Sequence, residues 1–388
     1  MKKYNILAIL LVITSFALIA QEFTYELAMP EIRHARIDAL GGKHISDTSW
    51  YYSFLTNPGN IGLMGKKSLY PGLTGGIGGP IQYAEEMLSA IENMGDGSSD
   101  SINTLAEILS KNKGLDLDAV ISGPIQFGSV KNNFGWGFFN QTYVIANIPS
   151  INYLEGLVGN ESLLRFGFAL PIPLGIGKLS IGGAIDLVNR VEGKLETSLI
   201  NAMSGDSFDG LIPLYTSFGF GLDAGATLSL LNFITVGLVW DDAVSGYFTS
   251  RSSDIGSGEI EPDASYQAFN FGWKFDLGAS VSVPGVNIFT LGIISSLNVM
   301  LDLHDVIGMM VNDPKKRNPI LDVSLGTEAV LFKTISLRLG IHEMYPSAGI
   351  GARFGAFNLD AAIFGRELGL EPGTRPQLNL AISLEFFK

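Results

Sequence analysis

A strict alternation between apolar and polar side chains constrains this chain more than any other feature. In the stretch FNFGWKFDLGASVSV, every odd position from Phe269 to Val283 is apolar, and the even positions carry Asn, Gly, Lys, Asp or Ser. This period of two is typical of a β-strand with two different faces. The run of 15 residues exceeds a usual strand of about 5–6 residues but suits a membrane strand, which needs about 9–11. The segments 218–230 and 378–387 show the same alternation.

The composition of the second face distinguishes a soluble β-fold from a membrane β-fold. A soluble sandwich carries Lys, Glu and Thr on its outer face, whereas this face is rich in Gly, Ser and Asn. Small polar residues suit a crowded polar lumen, and a continuous apolar face suits lipid. The mean hydropathy of +0.28 and the 47 glycines in 388 residues agree with this assignment. We therefore predict an all-β fold, a transmembrane antiparallel β-barrel of about 14 strands, in preference to a soluble β-sandwich.

The N-terminus carries the features of a secretory signal peptide. A pair of lysines precedes an apolar stretch from Ile6 to Ile13, and smaller residues follow it. Residues 1–20 are therefore predicted to be removed on export, with cleavage after Ala20. The alternative is an uncleaved anchor helix over the same residues.

Residues 66–388 are predicted to form the barrel, with a small helical insert at 82–113 between the first two strands. Apolar residues recur in this insert at helical spacing, as in the stretch AEEMLSAIENM. The spacing predicts a helical hairpin with one apolar stripe. That stripe either packs the two helices together or offers a landing site to a hydrophobic ligand.

Residues 21–65 do not alternate and are predicted to form a plug, or hatch, inside the barrel. An unfilled lumen of this width would be an open pore, and a segment without strands can fill it. Four aromatic residues at positions 50, 51, 52 and 54 are expected to pack against the inner wall. Asn57, Pro58 and Gly59 follow them and are strong turn formers.

The segment ARIDALGGKHISDTSWYYSFLTNPGNIGL, residues 35–63, resembles the plug of the FadL/TodX family of outer-membrane transporters of hydrophobic compounds. Spirochaete relatives and the PorV-like branch of that superfamily look similar. The resemblance implies a fourteen-stranded barrel with an N-terminal hatch. It assigns Asn57, Pro58 and Gly59 to the hatch motif, in which Gly59 replaces the family's usual alanine.

The C-terminus resembles the signal by which outer-membrane barrels are inserted. The chain ends on Phe386, Phe387 and Lys388. The aromatic pair resembles the usual ending that the barrel-assembly machinery recognises, and the terminal lysine departs from it. The resemblance therefore implies that this machinery is a partner during assembly.

The resemblance implies an outer-membrane channel for uptake of hydrophobic molecules such as long-chain fatty acids. In that family the ligand lands on an outer groove, enters a pocket inside the barrel and leaves sideways where a strand kinks. Such a route is physically sound, because an apolar solute gains about 0.8 kcal/mol per CH₂ removed from water. Outer-membrane lipids and the hydrophobic ligand are the expected partners, in the outer membrane of a double-membrane bacterium. Two alternatives stay open: a PorV-like barrel that binds or shuttles an exported protein, and a porin for polar solutes.

Two pairs of residues are candidates for the transport route. Pro171 and Pro173 lack the N–H that completes a ladder, so they are expected to break strand pairing and open a lateral gap. A simple turn at the end of the barrel is the alternative.

Lys274 and Arg338 lie on the polar faces of alternating strands and are candidates for binding a ligand's carboxylate. Each would otherwise pair with a carboxylate of the plug or wall, such as Asp276.

Several classes of function have no support in the sequence. The chain has no cysteine and a formal net charge of −13, which excludes thiolate chemistry and a basic nucleic-acid footprint. Neither a G-x-S-x-G motif nor a phosphate-binding P-loop occurs. His304 lies near Asp302 and Asp305, but the spacing of a metal site is missing. The same holds for His342 beside Glu343. We therefore expect no enzymatic activity, no cofactor and no metal.

Overall fold

The structure, a computed structural model, describes residues 31–79, 107, 109–110, 114–198, 214–252, 260–310 and 317–386, apart from the side chains of 251–268. The predicted signal peptide, residues 1–20, lies outside the described residues, as do Phe387, Lys388 and most of the predicted helical insert. In the part of the chain that the structure describes, no helix is long and apolar enough to span a membrane.

Antiparallel strands make up most of the described chain, and 17 segments belong to one sheet. Their bounds are β1 Lys67–Leu69, β2 Leu73–Gly79, β3 Leu115–Ser122, β4 Phe127–Lys131, β5 Phe134–Ser150, β6 Tyr153–Leu174, β7 Gly177–Thr197, β8 Leu214–Leu230, β9 Ile234–Ser252, β10 Ile260–Asn270, β11 Lys274–Ser282, β12 Ile294–Leu303, β13 Val323–Leu331, β14 Ile335–His342, β15 Tyr345–Phe354, β16 Phe357–Glu367 and β17 Pro376–Phe386.

The segments close into a ring. Successive strands pair as antiparallel hairpins, and β17 returns to pair with β2, where Leu380 lies opposite Ile77. Three wall strands are each interrupted once. The first of these consists of β1, which pairs with β4, and β2, which pairs with β3. The second consists of β3 and β4, which both pair with β5. The third consists of β10 and β11, which both pair with β9. The ring therefore has 14 wall strands, which confirms the predicted barrel.

The alternation predicts one strand over 269–283, and the structure divides it. Residues 271–273 leave the ladder between β10 and β11. The cause lies in the neighbouring strand β9, where Asp242 has a positive φ of 48° and the pairing with β8 shifts register. Within the break, Trp273 still stacks on Trp240 of β9, with ring centroids 6.2 Å apart. The alternation of side chains between the two faces therefore continues across it.

The two faces of the wall differ as the alternation predicts. Exposed apolar side chains form a belt around the outside, including Ile77, Ile121, Val144, Val158, Phe166, Ile181, Phe218, Leu238, Leu277, Leu301, Leu325, Leu339, Ile350, Ile363 and Ile382. Buried polar side chains line the inside, including Ser122, Gln141, Glu161, Arg165, Asp186, Thr227, Asp276, Asp302, Glu328, Arg338, Asp360, Asn379 and Ser383. This is the arrangement of a barrel that has lipid outside and a polar lumen inside.

The two ends of the barrel carry connections of different length. One end, here called the short-turn end, has tight turns at 132–133, 175–176, 231–233, 332–334 and 355–356. This end also has one longer connection, 283–293. The opposite end, here called the long-loop end, has the connections 80–114, 198–213, 253–259, 304–322 and 368–375, together with tight turns at 151–152 and 343–344. β1 begins and β17 ends at the short-turn end, so the segment that precedes β1 enters the barrel from there.

Short helices lie outside the ladder. The α-helices with described bounds are α1 Ala35–Ala39, α2 Ser53–Thr56, α3 Val286–Phe289 and α4 Val306–Met310, and the 3₁₀ helices are Pro58–Gly62 and Pro319–Asp322. From the predicted helical insert, Leu109 is buried and packs with Leu115, Ile148 and Leu154. The first two helices and the first 3₁₀ helix belong to the segment inside the barrel.

Candidate functional site

Residues 31–66, here called the inner segment, lie inside the ring of strands. Glycines of the wall make room for this segment: a Cβ at Gly340 of β14 would lie 2.3 Å from the carbonyl carbon of Leu40. Almost opposite, a Cβ at Gly182 of β7 would lie 2.5 Å from the carbonyl oxygen of Pro58. Because β7 and β14 are far apart in the ring, the inner segment reaches across the lumen from wall to wall.

Asn57, Pro58 and Gly59 attach the inner segment to β8. The Asn57 side chain caps the 3₁₀ helix by accepting a hydrogen bond from the backbone N–H of Gly59 at 2.8 Å. Its amide donates to Thr227 Oγ1 at 3.1 Å and to the carbonyl oxygen of Ile45 at 3.2 Å. The structure thus places the motif inside the barrel and in contact with the wall. Its role as a hatch stays a prediction.

One side of the inner segment, here called its polar side, is ion-paired to the wall around β12–β16. Arg36 of α1 donates to Glu328 Oε2 at 2.8 Å and to Asp47 Oδ2 at 2.8 Å. Arg338 donates to the other oxygen of Glu328 at 2.7 Å and to Asp360 Oδ1 at 2.5 Å. Charges of alternating sign therefore run without a gap from the inner segment into the wall.

The surroundings of Arg36 and Asp47, the two charged partners within the inner segment, keep both side chains ionised. Burial disfavours the charge on Arg36, but the carboxylates of Glu328 and Asp47 outweigh it and raise the pKa of the guanidinium. Burial likewise opposes the charge on Asp47, and Arg36 outweighs it, so the pKa of this carboxyl is lowered. The Arg36–Asp47 pair is therefore a salt bridge over the ordinary pH range, and Arg36 presents a full positive charge to Glu328 of the wall.

His44 adds a second connection on the polar side. Its Nδ1 contacts the carboxylate of Asp302 in β12, and its Nε2 donates to the carbonyl oxygen of Leu40 at 3.0 Å. The same Asp302 accepts the backbone N–H of Ile45 at 2.7 Å. One buried wall carboxylate therefore fixes both a side chain and the backbone of the inner segment.

A buried cluster of His34, Asp360 and Glu385 brings three potential metal-ligating atoms within 4.8 Å of one another. His34 Nδ1 accepts the backbone N–H of Arg36 at 3.0 Å. Its Nε2 must therefore carry the proton of the neutral ring, and it faces Glu385 Oε1 at 2.8 Å. This imidazole has no lone pair left for a metal, so the cluster supports a close contact between the inner segment and a wall carboxylate.

The two cations predicted to bind a ligand are both engaged by carboxylates of the chain. Lys274 Nζ lies 2.7 Å from Asp241 Oδ2, and Arg338 is buried between the two wall carboxylates described above. Asp276, the partner that the sequence suggested, contacts His304 Nδ1 at 3.2 Å and the backbone N–H of Asp305 at 2.8 Å. The role of these cations toward a ligand stays a prediction.

The other side of the inner segment, here called its apolar side, packs against the wall around β4–β7. Its buried side chains are Tyr51, Tyr52, Phe54 and Ile61, and they pack with Val130, Phe139, Leu163 and Val188. Tyr51 donates its hydroxyl to the carbonyl oxygen of Trp136 at 2.7 Å, and Tyr52 donates to Gln126 Oε1 at 3.1 Å. Burial raises the pKa of both tyrosines. These side chains form an apolar cluster, while the buried charges of β6 and β7, Glu161, Arg165 and Asp186, lie elsewhere on the same strands.

The wall is interrupted beside the apolar side. Residues 123–126, between β3 and β4, bulge away from β5 and have no register partner there, although the backbone N–H of Gly123 still donates to the carbonyl oxygen of Asn140 at 2.7 Å. Ile125 is 58% exposed on the outside, whereas Gln126 is 1% exposed and contacts Tyr52. The amide nitrogen of Gln126 finds no hydrogen-bond partner among the described residues. Here a loop, rather than a paired strand, separates the apolar part of the lumen from the outer belt.

The expectation that Pro171 and Pro173 break strand pairing is wrong. Pro171 lies opposite Ser180, and Pro173 opposite Lys178, in an unbroken ladder between β6 and β7. The backbone N–H of Ala169 points toward β5, to the carbonyl oxygen of residue 133, so the alternation aims the nitrogens of both prolines the same way. The ladder between β5 and β6 stops at the pair Phe134 and Phe168, so β5 has no residue opposite either proline. The missing N–H groups therefore face an open edge near a turn and cost no ladder bond.

Sequence patterns do not single out Arg36, His44 or Glu328, and they draw attention to Asp302 only as a neighbour of His304. A signal was present, because charged residues in a segment predicted to be buried need partners of opposite charge. The pairing itself could not be read, since Arg36 and Glu328 are 292 positions apart.

The closed ring, the apolar belt and the lumen that the inner segment occupies together define a transmembrane β-barrel of 14 strands. No protein-family model and no curated protein matches the chain. Among solved structures, the toluene transporter TodX of Pseudomonas putida is similar over 90% of this chain and 96% of its own, at 12% identity and a TM-score of 0.45.

Two further channels are similar to the same extent. The toluene transporter TbuX of Ralstonia pickettii matches over 90% of this chain and 96% of its own, at 12% identity and a TM-score of 0.46. The CymD monoaromatic hydrocarbon channel matches over 90% and 95%, at 12% identity and a TM-score of 0.44. At this identity the likeness is one of fold, and TodX is a member of the family that the sequence resembles.

Proposed function

We propose that this protein is an outer-membrane channel for the uptake of hydrophobic molecules. The observation that carries the proposal is the two-sidedness of the inner segment. Its polar side is held to the wall by buried ion pairs, while its apolar side adjoins the interrupted wall at 123–126. Because short turns lie on the periplasmic side of such barrels, the short-turn end faces the periplasm.

The proposed route follows the apolar side. A hydrophobic ligand enters from the long-loop end, moves between the apolar side and the wall around β4–β7, and leaves into lipid past residues 123–126. The aromatic side chains along this route are almost fully buried, so the apolar side must shift to admit a ligand. The ion pairs around Arg36 hold the rest of the inner segment in place while it does so. Each CH₂ that remains out of water favours the route by about 0.8 kcal/mol.

The filled lumen favours this route over a porin for polar solutes. A porin needs a continuous aqueous path, whereas the inner segment spans the lumen and is joined to opposite walls. A cavity of about 20 Å³ beside Arg36, His44 and Trp50 has room for one water molecule. A PorV-like role would instead appear as a secreted protein that co-purifies with the barrel.

Uptake into proteoliposomes tests the proposal. The mature protein is reconstituted, and entry of a fluorescent long-chain fatty acid and of radiolabelled toluene is followed against empty liposomes. Gln126→Lys places a charge in the route and is expected to slow uptake at least about tenfold, because an ion in an apolar path is costly. Gln126→Leu has a similar size, keeps the path apolar and is expected to retain uptake.

Two comparisons complete the test. The double variant Pro171→Ala/Pro173→Ala is expected to take up ligand at the wild-type rate, because these residues lie away from the interruption at 123–126. Wild-type uptake no faster than in empty liposomes would contradict the proposed function. Equal uptake by Gln126→Lys and Gln126→Leu would contradict the route. The probe that enters faster identifies the ligand class.

A further inference from the structure

All charged residues in the turns of the short-turn end are cations. The turn regions 128–136, 174–178, 229–235, 282–294, 331–335 and 352–358 contain no Asp or Glu, and their charged residues are Lys131, Lys178, Lys333 and Arg353, here called the basic rim. Each of the four is exposed. The formal net charge of the chain is −13, so a rim of purely positive charge runs against the overall composition.

The cations of the long-loop end are arranged differently. Lys194 lies 3.0 Å from Glu155 and 2.8 Å from Glu196. Arg317 lies 2.7 Å from Glu343, and Arg375 is paired with Asp116. Carboxylates of the chain thus neutralise these three cations, which belong to the described part of this end.

The basic rim has no such compensation for its lysines. Within the described residues, no carboxylate lies in ion-pair range of Lys131, Lys178 or Lys333, and the turns around them hold no acidic residue. Like charges gathered at one end of a protein repel one another. An anion from outside the chain is therefore the natural counter-charge.

Exposed apolar side chains accompany the cations of the basic rim. Phe134 lies opposite Lys131 in the ladder between β4 and β5. Phe332 precedes Lys333 in its turn, and Phe354 follows the arginine of the rim. Phe332 and Phe354 are 62% and 63% exposed, respectively. The outer belt therefore continues to the last turn, which sets the basic rim at the height where acyl chains meet headgroups.

We propose that the basic rim binds the anionic headgroups of phospholipids in the leaflet at the short-turn end. The cations contact the headgroup phosphates, and the neighbouring aromatic side chains insert between the acyl chains. A lipid layer is the partner that supplies both chemistries at one height. The proposal rests on the membrane location given under the proposed function, and it is independent of which ligand the channel takes up.

Lipid retention tests the proposal. The mature protein is reconstituted in vesicles of equal parts phosphatidylglycerol and phosphatidylcholine, re-extracted in mild detergent, and its bound lipids are counted by native mass spectrometry. Wild type is expected to retain phosphatidylglycerol over phosphatidylcholine by at least about fivefold. The variant Lys131→Gln/Lys178→Gln/Lys333→Gln is expected to bring this ratio close to one. Heat-modifiable migration on a gel verifies that the variant is folded.

The long-loop end provides a matched control. Lys194→Gln/Arg317→Gln/Arg375→Gln removes the same number of cations and is expected to keep the wild-type ratio. Equal retention of the two lipids by wild type, or full selectivity in the rim variant, would overturn the proposal. Displacement of the bound lipid by millimolar inorganic phosphate would also overturn it, because it would indicate a site for a free anion. A protein that stays monodisperse without detergent and retains neither lipid would contradict the membrane location itself.

Discussion

Arg36 joins the inner segment to the wall through charges that are almost fully withdrawn from water. Its two carboxylate partners come from the inner segment and from β13, and Glu328 is shared with Arg338. A buried pair of this kind adds little over an apolar replacement of both partners, but removing one partner leaves the other charge uncompensated. At the residue scale, attachment of the inner segment therefore depends on complete ion pairs.

Arg36→Met is expected to destabilise the protein by about 3 kcal/mol, because Glu328 keeps one partner but loses the other. The measurement is the midpoint of thermal unfolding, followed as heat-modifiable gel migration. Arg36→Met/Glu328→Leu removes both charges and is expected to recover part of the loss. Lys194→Met, at an exposed ion pair, is the control and is expected to have a small effect. An equal shift for Arg36→Met and the control would contradict this role.

Gly59→Ala is expected to loosen the attachment of the 3₁₀ helix to β8. An added Cβ would lie 2.9 Å from the backbone of Ala226, and neither backbone can yield without moving the inner segment. The expected cost is about 1–3 kcal/mol, seen as a lower unfolding midpoint and as faster proteolysis within residues 31–66. Gly75→Ala is the control, because a Cβ at Gly75 meets nothing within 4 Å. Equal unfolding midpoints for the two variants would show that the close packing at Gly59 does not contribute to stability.

The sequence predicts the faces of single residues but not their partners. Alternation alone placed Lys274 and Arg338 on the polar face of the wall, and both face inward. Which carboxylate each one meets depends on strands that are distant in sequence, so Asp276 was suggested as a partner and Asp241 was found. Ion pairs follow from the closed barrel and therefore cannot be read before it.

At the element scale, interruptions of strands depend on the neighbouring strand more than on the strand itself. The run at 269–283 alternates without fault, yet it is divided because β9 shifts register at Asp242. Pro171 and Pro173 look disruptive, yet they leave their ladder intact because their nitrogens face an open edge. Local sequence therefore predicts strands reliably here, and it predicts breaks poorly.

The loop that carries α4 is joined to β11 through His304. Its Nδ1 contacts Asp276 at 3.2 Å, its Nε2 lies 3.2 Å from Ser324, and its ring is 6.0 Å from the ring of His342. Burial lowers the pKa of His304, but Asp276 and Asp302 outweigh burial and the opposing Lys43, so the net effect raises it. The ionised ring is thus favoured in the folded protein.

This raised pKa predicts a pH-dependent attachment of the loop. A folded-state pKa above the ordinary value of 6.5 gives stability that is complete below pH 6.5 and is lost as the pH rises through the folded-state value. We expect hydrogen exchange at residues 304–310 to be slower at pH 6 than at pH 8, after correction for the intrinsic rate. His304→Gln is expected to remove the difference. Identical pH profiles for wild type and variant would show that another group is responsible.

At the scale of the whole molecule, one pattern accounts for the barrel. Period-two alternation with small polar residues on one face predicted a closed membrane barrel of about 14 strands, and the structure has 14. Alternation contains no information about a segment without strands. The prediction that the segment before the first strand lies in the lumen therefore depended on the argument that a lumen of this width must be filled. The two-sidedness of that segment became visible only in the structure. We expect a lumen filled in this way to block ions and, under the proposed function, to admit hydrophobic ligands when its apolar side moves.

Ion conductance in planar bilayers shows whether the inner segment closes the barrel. The mature protein is compared with a variant that lacks residues 31–63, after heat-modifiable migration has verified that the variant is folded. We expect almost no steady conductance for wild type and a large, stable conductance for the variant, because removal of most of the inner segment leaves an open barrel of 14 strands. Porin-like conductance of wild type, or equal conductance of the two proteins, would contradict this expectation.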